Sequence, residues 1–326
     1  MVFGKKYFEA EEREGFLVPE LMKRAWAAEM EILEVVADIC ARHDIQYFAD
    51  GGTLLGAVRH QGFIPWDDDI DIALRRPDYN RLIPLLKTEL PEGLVLSGMY
   101  AEEKRLQDAA FTAQIRVMSD EEYWDLNSHM RRFHAFPFLR IGIDILPLDY
   151  VPRDSELVDL QKMIMWQIMR LLDHKGGDFT MENYERQLQY VEELCGVSLV
   201  RDDTLNNQLF KLFDAIVSLY NYDEAEEISQ YFFWLPNPSR VYKKEWYDTF
   251  VMMPFENTAV PVPQKYHEVL TLMYGDYKTP VRGTATHNYP CYKNQEEVLG
   301  RKLKERGIAQ SVTEFCRNFT EKYNCN

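Results

Sequence analysis

Four aspartates within five residues are the part of the chain whose residue types suggest chemistry: Asp67, Asp68, Asp69 and Asp71. The apolar residues that follow them predict a buried strand, on which residues two apart share a face. Asp67, Asp69 and Asp71 should therefore project together, while Asp68 and Ile70 face the other way. Two carboxylates about 4 Å apart repel by roughly 4 kcal/mol at an effective dielectric constant near 20. A fold keeps such a cluster if a cation neutralises it or if some of the carboxyl groups hold protons.

The cation that this segment predicts is Mg²⁺ or Mn²⁺. Hard oxygen ligands with no histidine or thiolate close by in the sequence favour these ions over zinc. A solvated turn or a calcium loop is the alternative for four clustered aspartates. The buried flank argues against a solvated turn. The calcium loop of an EF-hand is excluded because its glycine and its closing glutamate are missing at the required spacing.

A second acidic strand is predicted around Gly142-Ile-Asp-Ile-Leu146. Asp144 stands there between apolar neighbours, where a carboxylate is costly unless it is paired, hydrogen-bonded or bound to a metal. If this strand lies beside residues 70–74, Asp144 joins Asp69 and Asp71 around one or two metal ions. Asp144 would then be the natural base for an acceptor hydroxyl. A helix cap or an ordinary ion pair is the alternative interpretation of Asp144.

A glycine pair precedes the acidic segment and predicts a phosphate site. Gly51 and Gly52 lie between a predicted strand and a short predicted helix, where glycine lets the backbone approach a ligand closely. With Thr53 as the predicted N-cap, the helix would offer free N–H groups to an anion. Arg59 and Arg116 are candidates for phosphate binding, although each could equally be a surface residue.

Three further residues have no assigned role at this stage: His60, His287 and Arg282. Helix and strand patterns interleave over residues 19–150 and predict an α/β core. The predicted elements are a helix over 19–43, strands over 45–49, 70–74, 111–117 and 141–146, and helices over 53–60 and 75–90. Residues 151–326 read as mostly helical, with a hairpin over about 248–263 that turns near Glu256-Asn257 and could rejoin the core sheet.

Composition limits the possible partners. The chain has 326 residues, 46 % of them hydrophobic, and a formal charge of −16, which argues against nucleic acid and anionic membranes as partners. Five cysteines are scattered without a Cys-x-x-Cys pair, which indicates reduced thiols rather than a zinc knuckle. The sequence has no transmembrane segment and no apolar leader, so we expect a cytoplasmic protein. The oligomeric state stays open.

The segment from Gly51 to Ile72, GGTLLGAVRHQGFIPWDDDIDI, closely resembles the signature of the LicD family, which includes bacterial phosphorylcholine transferases and animal fukutin and fukutin-related protein. The resemblance continues in IGIDILPLDYVP from Ile141. It returns at Val260-Pro-Val-Pro and at Leu272-Met-Tyr-Gly-Asp-Tyr. The cysteine cluster that binds zinc in fukutin-related protein has no counterpart here, so the chain resembles the bacterial branch.

The resemblance implies a nucleotidyltransferase-like fold, which is a small mixed sheet flanked by helices. It implies that Asp69 and Asp71 are the metal pair, that Asp67 is an outer or additional ligand, and that Asp144 is the third carboxylate. It also implies a CDP-choline or related donor, a sugar hydroxyl of a teichoic acid or other surface glycan as acceptor, and CMP as product. Two alternatives are a true nucleotidyltransferase, which releases pyrophosphate from an NTP, and a non-catalytic binding protein. The latter should have lost a carboxylate, and none is lost.

Overall fold

The computed structural model describes residues 1–108, 113–122, 125–173, 180–282 and 289–323, except for the side chain of Phe232. The strands are β1 (Glu11–Arg13), β2 (Phe16–Val18), β3 (Phe48–Ala49), β4 (Asp71–Arg75), β5 (Leu94–Gly98), β6 (Ile115–Ser119), β7 (Gly142–Pro152), β8 (Ala225–Ser229), β9 (Tyr242–Lys243), β10 (Phe250–Phe255) and β11 (Thr258–Pro263). The helices are α1 (Glu20–Arg42), α2 (Gly51–His60), α3 (Arg76–Glu89), α4 (Lys104–Asp108), α5 (Leu126–Arg132), α6 (Ser155–Leu172), α7 (Met181–Cys195), α8 (Leu205–Val217), α9 (Tyr231–Trp234), α10 (Tyr266–Tyr274), α11 (Lys293–Glu305) and α12 (Val312–Tyr323).

A seven-stranded mixed sheet forms the centre of the molecule, as the predicted α/β class requires. Five strands follow the order β3-β4-β7-β6-β5, and β8 and then β9 extend the sheet from the second half of β7. The pair β4 and β7 is parallel, and the other pairs are antiparallel. The long strand β7 therefore belongs to both parts of the sheet.

Helix α1 covers this sheet, and its apolar stripe explains why it forms there. Ala25, Ala28, Ile32, Val36 and Ile39 recur every three or four residues, and each is almost fully buried. The prediction of this helix is confirmed. The strand expected over 45–49 is confirmed only at its last two residues, and β5 was not predicted. The expected start of the next strand, at Phe111, lies outside the described residues.

The region after β7 is rich in helices, as expected. Helices α6, α7 and α8 build a second apolar cluster, whereas α10, α11 and α12 contribute to the same core as α1 and the sheet. The predicted hairpin is β10–β11, with its turn at Glu256-Asn257. It forms a two-stranded sheet of its own that packs against α2 and β3. In the described part of the chain, no helix is both long enough and apolar enough to cross a bilayer.

A buried ion cluster joins the two apolar clusters. Arg76 lies at the start of α3 and donates to both carboxylate oxygens of Asp149 on β7, at 2.6 and 2.9 Å. Its remaining terminal nitrogen donates to Asp214 on α8 at 2.9 Å. Each charge is thus paired where an unpaired one would be costly.

Candidate active site

Asp71 and Asp144 lie side by side on parallel strands. They are register partners in the ladder between β4 and β7, and the N–H of Asp144 donates to the carbonyl of Ile70 at 2.9 Å. On its other side Asp144 faces Arg116 of β6, whose Nε lies 2.5 Å from Asp144 Oδ1. The prediction that the strand of Asp144 lies beside that of Asp71 is therefore confirmed. Arg116 is the ion-pair partner of Asp144.

Asp67, Asp68 and Asp69 precede the strand, because β4 begins only at Asp71. The N–H of Asp67 closes a turn onto the carbonyl of Ile64, and the indole N–H of Trp26 donates to the carbonyl of Asp67 at 3.0 Å. One carboxylate oxygen from each of the three aspartates lies within 4.8 Å of the others.

The expectation that Asp68 faces away from its neighbours is wrong, because this stretch of backbone is not an extended strand. Asp68 is buried, and its Oδ2 accepts a hydrogen bond of 2.6 Å from the backbone N–H of Cys291. The chain after Pro290 thus reaches the acidic segment from more than two hundred residues away.

The two glycines at the start of α2 make room for carboxylates. Gly51 has a φ of +51°, and a Cβ there would lie 3.1 Å from Asp71 Oδ2. A Cβ on Gly52 would lie 2.2 Å from Asp67 Oδ2, a distance that no real side chain tolerates. The helix N-terminus therefore already faces two carboxylates. A phosphate can share that position only if a cation lies between the negative groups.

Thr53 is not the N-cap of α2, contrary to the prediction. The helix begins two residues earlier, at Gly51, and Asp50 occupies the N-cap position with an extended backbone. The hydroxyl of Thr53 instead accepts a hydrogen bond from the N–H of Asp71 at 2.9 Å. Thr53 thereby fixes the start of β4 to the first turn of α2.

The electrostatics of the cluster indicate a shortage of positive charge. Burial first, and then the carboxylates of Asp69 and Asp144, raise the pKa of Asp71 well above its ordinary value. Burial and the neighbouring Asp69 likewise raise the pKa of Asp67. Burial raises the pKa of Asp50, although a hydrogen bond from Gln230 at 2.5 Å partly offsets it. These carboxyl groups hold protons or share a cation.

Glu29 on α1 is a member of this cluster that the sequence analysis missed. It is 1 % exposed, and its Oε2 is buried with no hydrogen-bond partner in the part of the chain that the structure describes. Burial raises its pKa well above the ordinary value, and the carboxylates of Asp69 and Asp68 raise it further. A signal was available, because Glu29 is a charged residue on the apolar stripe between Ala25 and Ile32.

The donor set fits a hard divalent cation. The groups that converge are carboxylates, and one of them presents a buried oxygen that lacks a partner. The thiol of Cys291 is also close, since its sulfur lies 3.8 Å from the carbonyl oxygen of Asp68. Cys291 is exposed, and its thiol is a softer ligand than a carboxylate, which makes it a poor ligand for Mg²⁺ or Mn²⁺.

Arg59 and His60 lie at the other end of α2, about 12 Å along the helix axis from Gly51. The guanidinium of Arg59 donates to the carbonyl of Tyr277 at 2.9 Å. Arg59 also lines a cavity of about 500 Å³ with Val58, Tyr266, His267, Tyr277 and Lys278. The structure therefore does not bring Arg59 to the acidic cluster, although it brings Gly51, Gly52, Thr53 and Arg116 there.

The residues left unassigned by the sequence have structural neighbours. His60 Nε2 lies 3.3 Å from a carboxylate oxygen of Glu14, and the ring of His60 meets the edge of Trp66. The guanidinium of Arg282 lies over the ring of Trp66 and donates to the carbonyl of Gly15 at 2.7 Å. His287 lies outside the described residues.

One exposed aromatic ring lies near the acidic cluster. Tyr274 ends α10 with 44 % of its surface exposed. Burial of its hydroxyl, followed by the carboxylates of Asp50 and Asp67, raises its pKa. Tyr274 lies in the segment Leu272-Met-Tyr-Gly-Asp-Tyr that carries part of the resemblance described above, but α10 is distant in sequence from the acidic segment, so the sequence does not show that the two meet.

Comparison with known proteins places these features in a family. Residues 44–138 match the family described as "LicD/FKTN/FKRP, nucleotidyltransferase domain", a range that contains the glycine pair, the four clustered aspartates and Arg116. The chain is 27 % identical over 259 residues to the lipopolysaccharide cholinephosphotransferase LicD of Haemophilus influenzae, and the match covers 76 % of this chain and 88 % of that protein.

Two shorter matches are to uncharacterized proteins of Rickettsia. The protein from Rickettsia typhi is 38 % identical over 60 residues, which is 18 % of this chain and 19 % of that protein. The protein from Rickettsia prowazekii is 41 % identical over 56 residues, which is 17 % of this chain and 21 % of that protein. The long match extends well beyond the signature segment that carries the clustered aspartates. The chain resembles the LicD family over residues 44–138 and the Haemophilus protein over most of its length.

Proposed function

We propose that the chain is a phosphotransferase that moves a phospho-alcohol group, phosphocholine first among them, from a CDP-alcohol to a sugar hydroxyl. The acceptor we propose is a cell-surface glycan or a teichoic acid precursor, and the by-product is CMP. The name of the Haemophilus relative supports cholinephosphate transfer. The observation that carries the proposal is the pairing of Asp71 with Asp144 on adjacent parallel strands, beside the cluster of Asp67, Asp68 and Asp69.

In this proposal Asp69, Asp71 and Asp144 hold Mg²⁺ or Mn²⁺, and Asp67 is an additional ligand. The ion, when bound, would neutralise the donor's phosphates and favour departure of CMP. Gly51 and Gly52 leave the space in which the phosphates approach the helix N-terminus.

In this proposal Asp144 acts on the acceptor, as the base for the sugar hydroxyl. The hydroxyl oxygen of the sugar forms a bond to the donor's distal phosphorus, the bond from that phosphorus to CMP breaks, and the hydroxyl proton passes to Asp144. Arg116 lies 2.5 Å from Asp144 and orients that carboxylate. The leaving CMP takes the electron pair of the broken bond. Substrate and base would have to meet at hydrogen-bond distance for this step.

The exposed ring of Tyr274 is the proposed contact for the alcohol part of the donor. A quaternary ammonium is attracted to the face of an aromatic ring, and this ring lies close to the acidic cluster. Ribitol or glycerol would gain nothing from such a contact. We therefore expect a preference for CDP-choline over other CDP-alcohols.

The test supplies the protein with Mg²⁺ and one donor at a time: CDP-choline, CDP-ribitol, CDP-glycerol or each NTP. A thermal-shift assay measures donor binding without an acceptor, and CMP and pyrophosphate are then quantified with a panel of free amino sugars. We expect CDP-choline to raise the Tm most and CMP to be the product. Pyrophosphate released from an NTP would instead identify a nucleotidyltransferase, the alternative that the description of the matching domain favours.

The variant Asp71→Asn should lose CMP release. Asp159→Asn is the matched control. It makes the same chemical change outside the cluster, because Asp159 is exposed on α6. If both variants lost turnover equally, the loss would come from the protein preparation and would not show a role for Asp71.

A further inference from the structure

The acidic cluster has two sides that meet at Asp69. The charges that act most strongly on Asp71 are those of Asp69 and Asp144, on the side of the sheet. The charges that act most strongly on Glu29 are those of Asp69 and Asp68, on the side of α1. Asp69 is the charge common to both. The site described above uses the first side and leaves Glu29 and Asp68 without a function.

Glu29 is held against the second side by the packing of α1. Trp26, one turn earlier on α1, donates to the carbonyl of Asp67 at 3.0 Å, and residues three apart on a helix share a face. Glu29 therefore points toward the same segment as Trp26. Its Oε2 is buried and has no hydrogen-bond partner among the described residues, and the charges of Asp67, Asp68 and Asp69 act on it. A buried carboxylate oxygen in such a position needs either a proton or a counter-charge.

The side chains around Glu29 supply little positive charge. Among the strongest electrostatic influences on Glu29 from the described residues, Arg116 is the basic one, and its Nε lies 2.5 Å from Asp144. The others are the carboxylates of Asp67, Asp68 and Asp69. A divalent ion bound through these oxygen ligands would offset half of the negative charge of four such groups.

We infer that Glu29, Asp67, Asp68 and Asp69 form a second divalent-cation position, next to the one that Asp69, Asp71 and Asp144 form in the proposed function. Asp69 would bridge the two ions, as a shared carboxylate does in two-metal sites. The inference of this second position rests on the proposed function only for the neighbouring ion, which Asp69, Asp71 and Asp144 would hold. Its own evidence is the buried unpartnered oxygen of Glu29 and the closeness of the three aspartate carboxylates.

The test counts bound Mn²⁺ on the full chain, metal-free at the start and with no nucleotide present, by the electron paramagnetic resonance signal of free Mn²⁺. We expect two ions on the wild-type protein and one on Glu29→Gln, with the second ion weakened by about tenfold or more. Asp144→Asn should also keep one ion, and the double variant should keep none. Glu34→Gln, an exposed glutamate on the same helix, should keep two.

An unchanged Mn²⁺ count and affinity in Glu29→Gln would overturn the inference, and so would a wild-type protein that binds fewer than two ions. If circular dichroism finds Glu29→Gln unfolded, Asp68→Asn removes another member of the same position and should also lose one ion. Because no donor is present, this count stands whether or not the protein consumes a CDP-alcohol. A protein that binds two ions and releases no CMP would refute the proposed function alone.

Discussion

Replacement of Asp71 by asparagine separates the stability of the cluster from its function. Asp71 is half-buried, and burial followed by the charges of Asp69 and Asp144 raises its pKa above the value it has in the unfolded chain. Between those two pKa values the unfolded chain binds fewer protons than the folded one. The metal-free protein therefore loses stability as pH rises through that interval. Asp71→Asn does not lose stability in this way, because its neutral amide does not titrate.

Each unit by which the folded pKa is raised costs about 1.4 kcal/mol at a pH above both values. The variant in EDTA at neutral pH should therefore be more stable than the wild type by at least about 1 kcal/mol, or about 2 °C in Tm for a chain of this length. The hydrogen bond from Asp71 to Thr53 uses the backbone N–H and survives the substitution. Below about pH 4 the difference should disappear, because the carboxyl group is then protonated in both states.

The assay is thermal unfolding of both proteins from pH 4 to pH 8, with EDTA and with Mg²⁺. Mg²⁺ should raise the Tm of the wild type more than that of Asp71→Asn, which loses one of the two ions inferred above, so the stability advantage of the variant should shrink. CMP release should fall at least about a hundredfold, since a lost ligand removes several kcal/mol of charge stabilisation. A variant that is less stable in EDTA and retains its full response to Mg²⁺ would refute the reasoning.

The remaining predictions follow from the same contacts. Asp144→Asn should abolish turnover and leave the fold intact, as CMP release and circular dichroism will test; full activity would remove Asp144 from the mechanism. Gly52→Ala should lose the Mg²⁺ response and about 1–3 kcal/mol of stability, because its Cβ would lie 2.2 Å from a carboxylate oxygen, whereas Gly300→Ala on α11 has space and should be neutral or stabilising in the same melts. Arg76→Met should lower the free energy of unfolding by about 3–5 kcal/mol, since it leaves the buried carboxylate of Asp149 unpaired; an unchanged denaturation midpoint would contradict this. Excess EDTA should abolish activity, and undiminished turnover would count against a metal site.

The local sequence predicted the parts of the site that depend on neighbouring residues. The alternation around Asp144 and the apolar flank after Asp71 predicted two buried strands, and β4 and β7 are adjacent and in register at those residues. The apolar stripe of α1 likewise predicted that helix to within about a residue at each end.

Other parts of the site depend on contacts that no local pattern reveals. Asp68 takes its position from the N–H of Cys291, and Asp50 takes its partner from Gln230. Thr53 was assigned as the N-cap because a hydroxyl before a helix is a common signal. The helix starts at Gly51 instead, since glycine there leaves space for the carboxylate of Asp71. Glu29 is a charged residue on the apolar stripe of α1, but a single glutamate there does not show which segment its carboxylate faces.

Strand β7 connects the two parts of the sheet without a break. Its first half carries Asp144 between β4 and β6, and its second half carries the ladder to β8. Eleven consecutive residues leave no linker between the two halves. Substitutions on the surface of the helical region can therefore accumulate while the ladder keeps the position of Asp144 unchanged.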